Sequence, residues 1–79
     1  MVNKSQNNFN LIALGNRVRE IRKSLGMTQE NLAAKAELDR SYIGGIERGE
    51  RNVSFLTLCR LAGSFNCDVF HITKNIPEG

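Results

Sequence analysis

The sequence has no tryptophan, one proline, one histidine and two cysteines. Cys59 and Cys67, with His71 as the lone histidine, cannot supply the ligand spacing of a zinc finger or knuckle. Two cysteines are also too few for a disulfide scaffold, which fits a reducing compartment. The proline is Pro77, so no proline interrupts a helix anywhere between Phe9 and Ile76. Long apolar runs are absent as well. The longest uncharged apolar stretch, Phe9 to Leu14, is broken by Asn10, and a bilayer span needs roughly 18–20 such residues. No set of base, nucleophile and oxyanion donor is visible, so neither catalysis nor a cofactor or metal is expected.

What is present fits in one domain. Seventy-nine residues leave no room for a second core or a two-domain cleft. The chain can bury only a modest core, so a dimer interface would add stability. A formal charge of +3 suits an acidic partner such as DNA. Residues 1–8 are polar and asparagine-rich with no apolar segment; they read as a flexible arm, not an export signal. The expectation is a soluble cytoplasmic protein whose residues 9–79 form the domain.

Apolar residues recur at helical spacing. Leu11, Leu14, Val18, Ile21 and Leu25 make one stripe, and Gly26 fits the position just past a helix end. Thr28 is placed to cap a short second helix over 29–36, with Leu32, Ala33 and Ala36 on one face. After a turn at 37–39, Asp39 can cap a third helix over 40–48, with Ile43 and Ile46 inward and Gly49 as its stop. Ser54 can cap a fourth over 55–65, with Phe55, Leu58, Leu61, Ala62 and Phe65 facing the core and Cys59 near that stripe. Residues 68–73 suit a short fifth helix better than a strand, since no partner strand is visible. The predicted fold is all-α, with helices near 11–25, 29–36, 40–48, 55–65 and 68–73.

The informative segment is Gln29 to Arg48, two short helices joined by a three-residue turn. This is the spacing of a helix-turn-helix, which lays its second helix in the DNA major groove. Spacing alone is weak, because many small bundles contain such a pair. The residues sharpen it. Gln29 opens the second helix, Leu32-Ala33 follow, and Ile46-Glu47-Arg48-Gly49 close the third. The segment thereby resembles the Xre/Cro-type helix-turn-helix repressors. The stretch LDRSYIGGIERGERNVS more closely resembles the controller proteins of restriction–modification systems. The resemblance covers roughly Leu14 to Phe65 and implies a lambda-repressor-like domain that binds operator DNA as a homodimer.

Arg40 stands at the first turn of the third helix, where a guanidinium can fork onto guanine O6 and N7. Ser41 can reach a base or a phosphate. Tyr42 can meet a thymine methyl or a phosphate, or pack partly into the core. Gly44 and Gly45 each cost about 1 kcal/mol against alanine inside a helix. The resemblance implies that Gly45 allows close approach to the DNA, while Gly44 suits close helix packing. Gln29, at a helix N-terminus, is a phosphate candidate. In the resembling families the loop holding Arg48, Arg51 and Asn52 grips the DNA backbone. Lys35 and Arg17 are lesser phosphate candidates. Glu47 would repel phosphate; the resemblance implies instead an ion pair with Arg22, tying the first helix to the third.

Phe65, Phe70 and Ile72 are apolar groups that a small monomer would struggle to hide, and they are the expected dimer interface. The two recognition helices would then lie roughly 34 Å apart, one turn of DNA. Two other functions compete: an antitoxin that also grips a protein, and an interaction module without DNA binding. Neighbouring genes would separate the first. The second has no need of Arg40, Ser41, Arg48 and Arg51 together on one edge.

Overall fold

Asn8 begins the ordered helical structure, its side chain accepting a hydrogen bond from the Asn10 amide at 2.8 Å. The structure is a computed structural model and describes residues 8–77. Most of the expected arm, residues 1–7, lies outside the described residues; its last residue, Asn8, is a helix cap. Five helices follow: α1 (Phe9–Ser24), α2 (Gln29–Ala36), α3 (Arg40–Glu47), α4 (Phe55–Ser64) and α5 (Val69–Thr73). No strand occurs among the described residues. The helices fall where the spacing placed them, with α1 starting two residues earlier than expected.

Local chemistry sets the ends. Gly26 takes a φ of 70° directly after α1, a conformation that costs glycine least. Thr28 and Asn31 form a reciprocal capping box on α2, each side chain accepting from the other's backbone amide at 3.0 Å. Ser54 caps α4 through the Thr57 amide, and Asp68 caps α5 through the His71 amide. Asp39 occupies the cap position of α3 but makes no side-chain capping bond. The turn between α2 and α3 closes through Glu37, which adopts a left-handed φ of 58°.

Every helix contributes to the core. Val18, Leu32, Ile43, Ile46, Leu61 and Ile72 are fully buried, each worth about 1.5–3 kcal/mol relative to exposure. The tightest approach joins α1 to α3. A Cβ on Gly15 would lie 2.8 Å from the Glu47 carbonyl oxygen and closer still to that of Ile46. Only a residue without a side chain fits between these two backbones. Where α3 ends, Gly49 has a φ of 76°, and a Cβ there would press on Ile12.

Four expectations about burial need correction. Phe55 is 65% exposed and Cys59 is exposed, because the inward stripe of α4 runs through Leu58, Leu61, Ala62 and Phe65 and fades before its first turn. Phe65 and Ile72 are buried within the protomer, at 5% and 0% exposure, and are not available as an interface. Of the expected interface residues only Phe70, 66% exposed, faces outward. It stands two positions before Ile72, and successive helical residues rotate by about 100°. If one of this pair fills the core, the other must point away.

Candidate nucleic-acid interface

The helix α3 divides along its length. Arg40 and Ser41 are exposed and Tyr42 is half-buried, while Ile43 through Glu47 are buried. The outward tip is therefore mounted on a segment fixed by the core. Arg40 Nε lies 3.5 Å from a carboxylate oxygen of Glu30, with both side chains more than half exposed. An exposed pair of this kind is worth roughly 0–1 kcal/mol, and a bidentate guanine contact about 1–3 kcal/mol. The guanidinium can leave Glu30 for a base at little cost.

Arg51 is sequentially beyond α3 yet folds back over it. Its guanidinium carbon stands 5.5 Å from the centre of the Tyr42 ring, within cation–π range. Its stem covers Gly45, where an added Cβ would meet Arg51 Cγ at 3.0 Å. Gly45 is thus buried under the side chain of Arg51, which is itself exposed. At Gly44 the neighbours of an added Cβ are the Arg48 guanidinium, at 3.0 Å, and Gln29 Oε1. The absence of side chains at both glycines lets polar side chains lie close against the helix.

Beneath this surface sits the charged network. Arg22 Nε donates to Glu47 Oε2 at 2.6 Å, and Arg22 Nη2 donates to Oε1 at 3.0 Å. Arg22 also donates to the Met27 carbonyl at 2.8 Å, across the α1–α2 turn. Gln29 Nε2 donates to Glu47 Oε1 at 3.0 Å. Arg19 contributes a second guanidinium, donating to the Glu47 carbonyl at 3.1 Å. Burial alone would push the Glu47 carboxyl upward, but the hydrogen bonds from Arg22 and Gln29 and the charges of Arg22 and Arg19 together hold it below the usual carboxylate range. The hydrogen bond to Glu47 raises Arg22 above its ordinary value, against the opposing effect of burial.

The remaining candidates divide. Lys35 is exposed on the last turn of α2, and Asn52 is exposed beside Arg51. Arg48 pairs with Glu50 at 3.1 Å on the surface. Gln29 has an amide donor engaged by Glu47, so its first role is to orient α2 on α3. Arg17 is turned to α5, donating to the His71 and Lys74 carbonyls. The Glu30–Arg40 and Gln29–Glu47 contacts were missed in the sequence because each joins residues across a turn. No periodicity within one helix reports such a pair.

Among the described residues there is no cluster of three or more potential metal ligands, and no helix is long and apolar enough to cross a membrane.

The chain matches the helix-turn-helix family over residues 18–72. Control protein C.MunI of a Mycoplasma species is 33% identical over 68 residues, covering 85% of this chain and 92% of that protein. The structure is similar to that of the restriction–modification controller protein C.AhdI from Aeromonas hydrophila. The TM-score is 0.81 and the identity 42%, over 82% of this chain and 98% of that one. The controller protein C.Esp1396I, solved as a tetramer with its natural 35 base-pair operator, gives a TM-score of 0.75 at 36% identity. That match covers 85% of this chain and 99% of the other.

Proposed function

The chain belongs to the helix-turn-helix family, and from that membership we propose that it is a sequence-specific transcriptional regulator. It binds operator DNA as a homodimer and serves as a restriction–modification controller in the cytoplasm. The activity is binding, not catalysis. The observation that carries this reading is the tip of α3: Arg40 and Ser41 are exposed and Tyr42 is half-buried on a helix whose other five residues are buried. A rigid mount of this kind presents side chains to base edges without a backbone ordering cost at the moment of binding.

Arg40 reads a base, assisted by Ser41 and Tyr42. Arg51, stacked on Tyr42, stands on the same face, so its loss should reduce discrimination as well as affinity. Lys35, Arg48 and Asn52 are exposed around this face and suit the phosphate backbone. The homodimer forms through exposed apolar groups on two helices that pack together: Phe55 and Leu56 of α4 and Phe70 of α5.

The test begins with a duplex selected from a random-sequence pool by the wild-type protein. Binding of that duplex and of a scrambled one is measured across a salt series. Arg40→Ala should cost about 1–3 kcal/mol per half-site on the selected duplex and relax one position. Lys35→Ala should weaken both duplexes alike and flatten the salt slope by about one ion per subunit. If Arg40→Ala weakens both duplexes by the same factor, Arg40 touches phosphate only and the base-reading assignment fails.

A further inference from the structure

The fifth helix is only five residues long, Val69–Thr73, and a helix that short does not hold itself together in water. Three attachments fix it. Ile72 is fully buried in the core, Asp68 caps the N-terminus, and Arg17 reaches across from α1 to its far end. There the guanidinium forks: Nη1 donates to the His71 carbonyl and Nη2 to the Lys74 carbonyl, each at 3.1 Å. The last carbonyls of a helix have no intrahelical donors and carry the negative end of its dipole. A planar cation with two donors satisfies both needs at once. Phe70, between Asp68 and Ile72, points outward from the helix so fixed, with two-thirds of its surface exposed.

We propose that Arg17 is a positioning residue for dimerisation: by clamping the C-terminal end of α5 to α1, it holds Phe70 where the second protomer meets it. The proposal rests on the reading that Phe70 belongs to the dimer surface. Arg17 touches neither the partner nor DNA; it sets the orientation of a helix too short to keep its own. Ile72 fixes the depth of α5, and Arg17 fixes its direction.

The experiment uses the full chain with Arg17→Ala, Arg17→Lys and Phe70→Asp, each in sedimentation equilibrium, hydrogen exchange and binding of the duplex selected by the wild-type protein, which serves as the operator. Operator binding is measured well above the dimer dissociation constant. Arg17→Ala should weaken dimerisation by roughly tenfold, as expected for two lost charge-assisted hydrogen bonds at a partly exposed site. Exchange at the amides of α5 should accelerate while those of α2 and α3 stay protected, and the salt slope of the assembled dimer on DNA should not change. Arg17→Lys keeps the charge but a single ammonium cannot span both carbonyls in the same plane, so it should restore dimerisation only in part. This variant also carries the test if Arg17→Ala fails to fold. The proposal is overturned if Arg17→Ala dimerises like the wild type, or if Arg17→Lys restores full affinity and shows that the fork is irrelevant. A salt slope reduced by about one ion per subunit with unchanged dimerisation would return Arg17 to the phosphate contacts. If Phe70→Asp leaves the dimer intact, the surface itself is misassigned, a failure read from a different variant.

Discussion

Glu47 shows how much can depend on one buried side chain. Its carboxylate is 1% exposed and receives three side-chain hydrogen bonds, two from Arg22 and one from Gln29. Removing one partner of a buried ion pair leaves the other unpaired in low dielectric, at about 3–5 kcal/mol. Small domains have only about 5–15 kcal/mol in total. Glu47→Ala should therefore bring the domain close to unfolding at room temperature, as urea titration would show. The pair also sets a pH dependence. In the unfolded chain Glu47 titrates near 4.5, while in the fold it is held lower. Its contribution is complete above the unfolded value and is lost as pH falls through the folded value. Stability measured by urea across pH 6 to 2 should fall on the acid side, and Glu47→Gln should flatten that fall. The Arg22–Glu47 pair was legible only through the resemblance to the repressors. Nothing in helical spacing connects residues 22 and 47. The Arg19 and Gln29 contacts with Glu47 were not legible at all, since they depend on how α1 and α2 are set against α3.

Among the elements, the stripes and caps were readable because they are local. Gly26, Thr28, Ser54 and Asp68 mark helix ends by chemistry that acts within three residues. The short tail at 69–73 resolves as helix for the same reason: Asp68 supplies the cap, and among the described residues no strand is at hand for pairing. Closeness between helices was not readable. Gly15 lies in the middle of α1, where a sequence suggests only a weak point, yet it is where α1 rests on the α3 backbone. Gly15→Ala should cost at least the 1–3 kcal/mol typical of overpacking, because the opposing atoms are backbone carbonyls that cannot rotate away. Gly63, exposed on α4, offers the opposite case. An added Cβ there meets nothing within 4 Å. Gly63→Ala should stabilise the dilute protein by about 0.5–1 kcal/mol, the helix preference of alanine. Thermal melts of the two variants side by side would check both signs.

For the whole molecule, the apolar groups left over after folding matter most. Phe65, Phe70 and Ile72 are the expected interface from composition, but the core absorbs the first and third. Phe55 and Leu56 take their place on the surface, at 65% and 74% exposure. The phase of a stripe at a helix end cannot be read until the neighbouring helices are placed. A double variant, Leu56→Asp with Phe70→Asp, should leave the fold intact because both residues already face outward. Sedimentation should then report a monomer. Binding to a two-half-site duplex should drop toward that of a single half-site, since linkage of two units multiplies their affinities. A variant that remains dimeric would move the interface away from α4 and α5.

The lengthwise division of α3 has a bearing on how such a protein changes over generations. Residues 43–47 are buried in the fold, Arg40 and Ser41 are exposed, and Tyr42 stands half-buried between the two sets. Inheritance can rewrite the second set while keeping the first. On the proposed reading, a lineage could acquire a new DNA address through substitutions at Arg40 and Ser41, which are exposed, while Tyr42, packed against the core, would tolerate fewer changes. A library randomised at Arg40 and Ser41 should keep near-native melting in most members, while one randomised at 43–47 should be mostly unfolded.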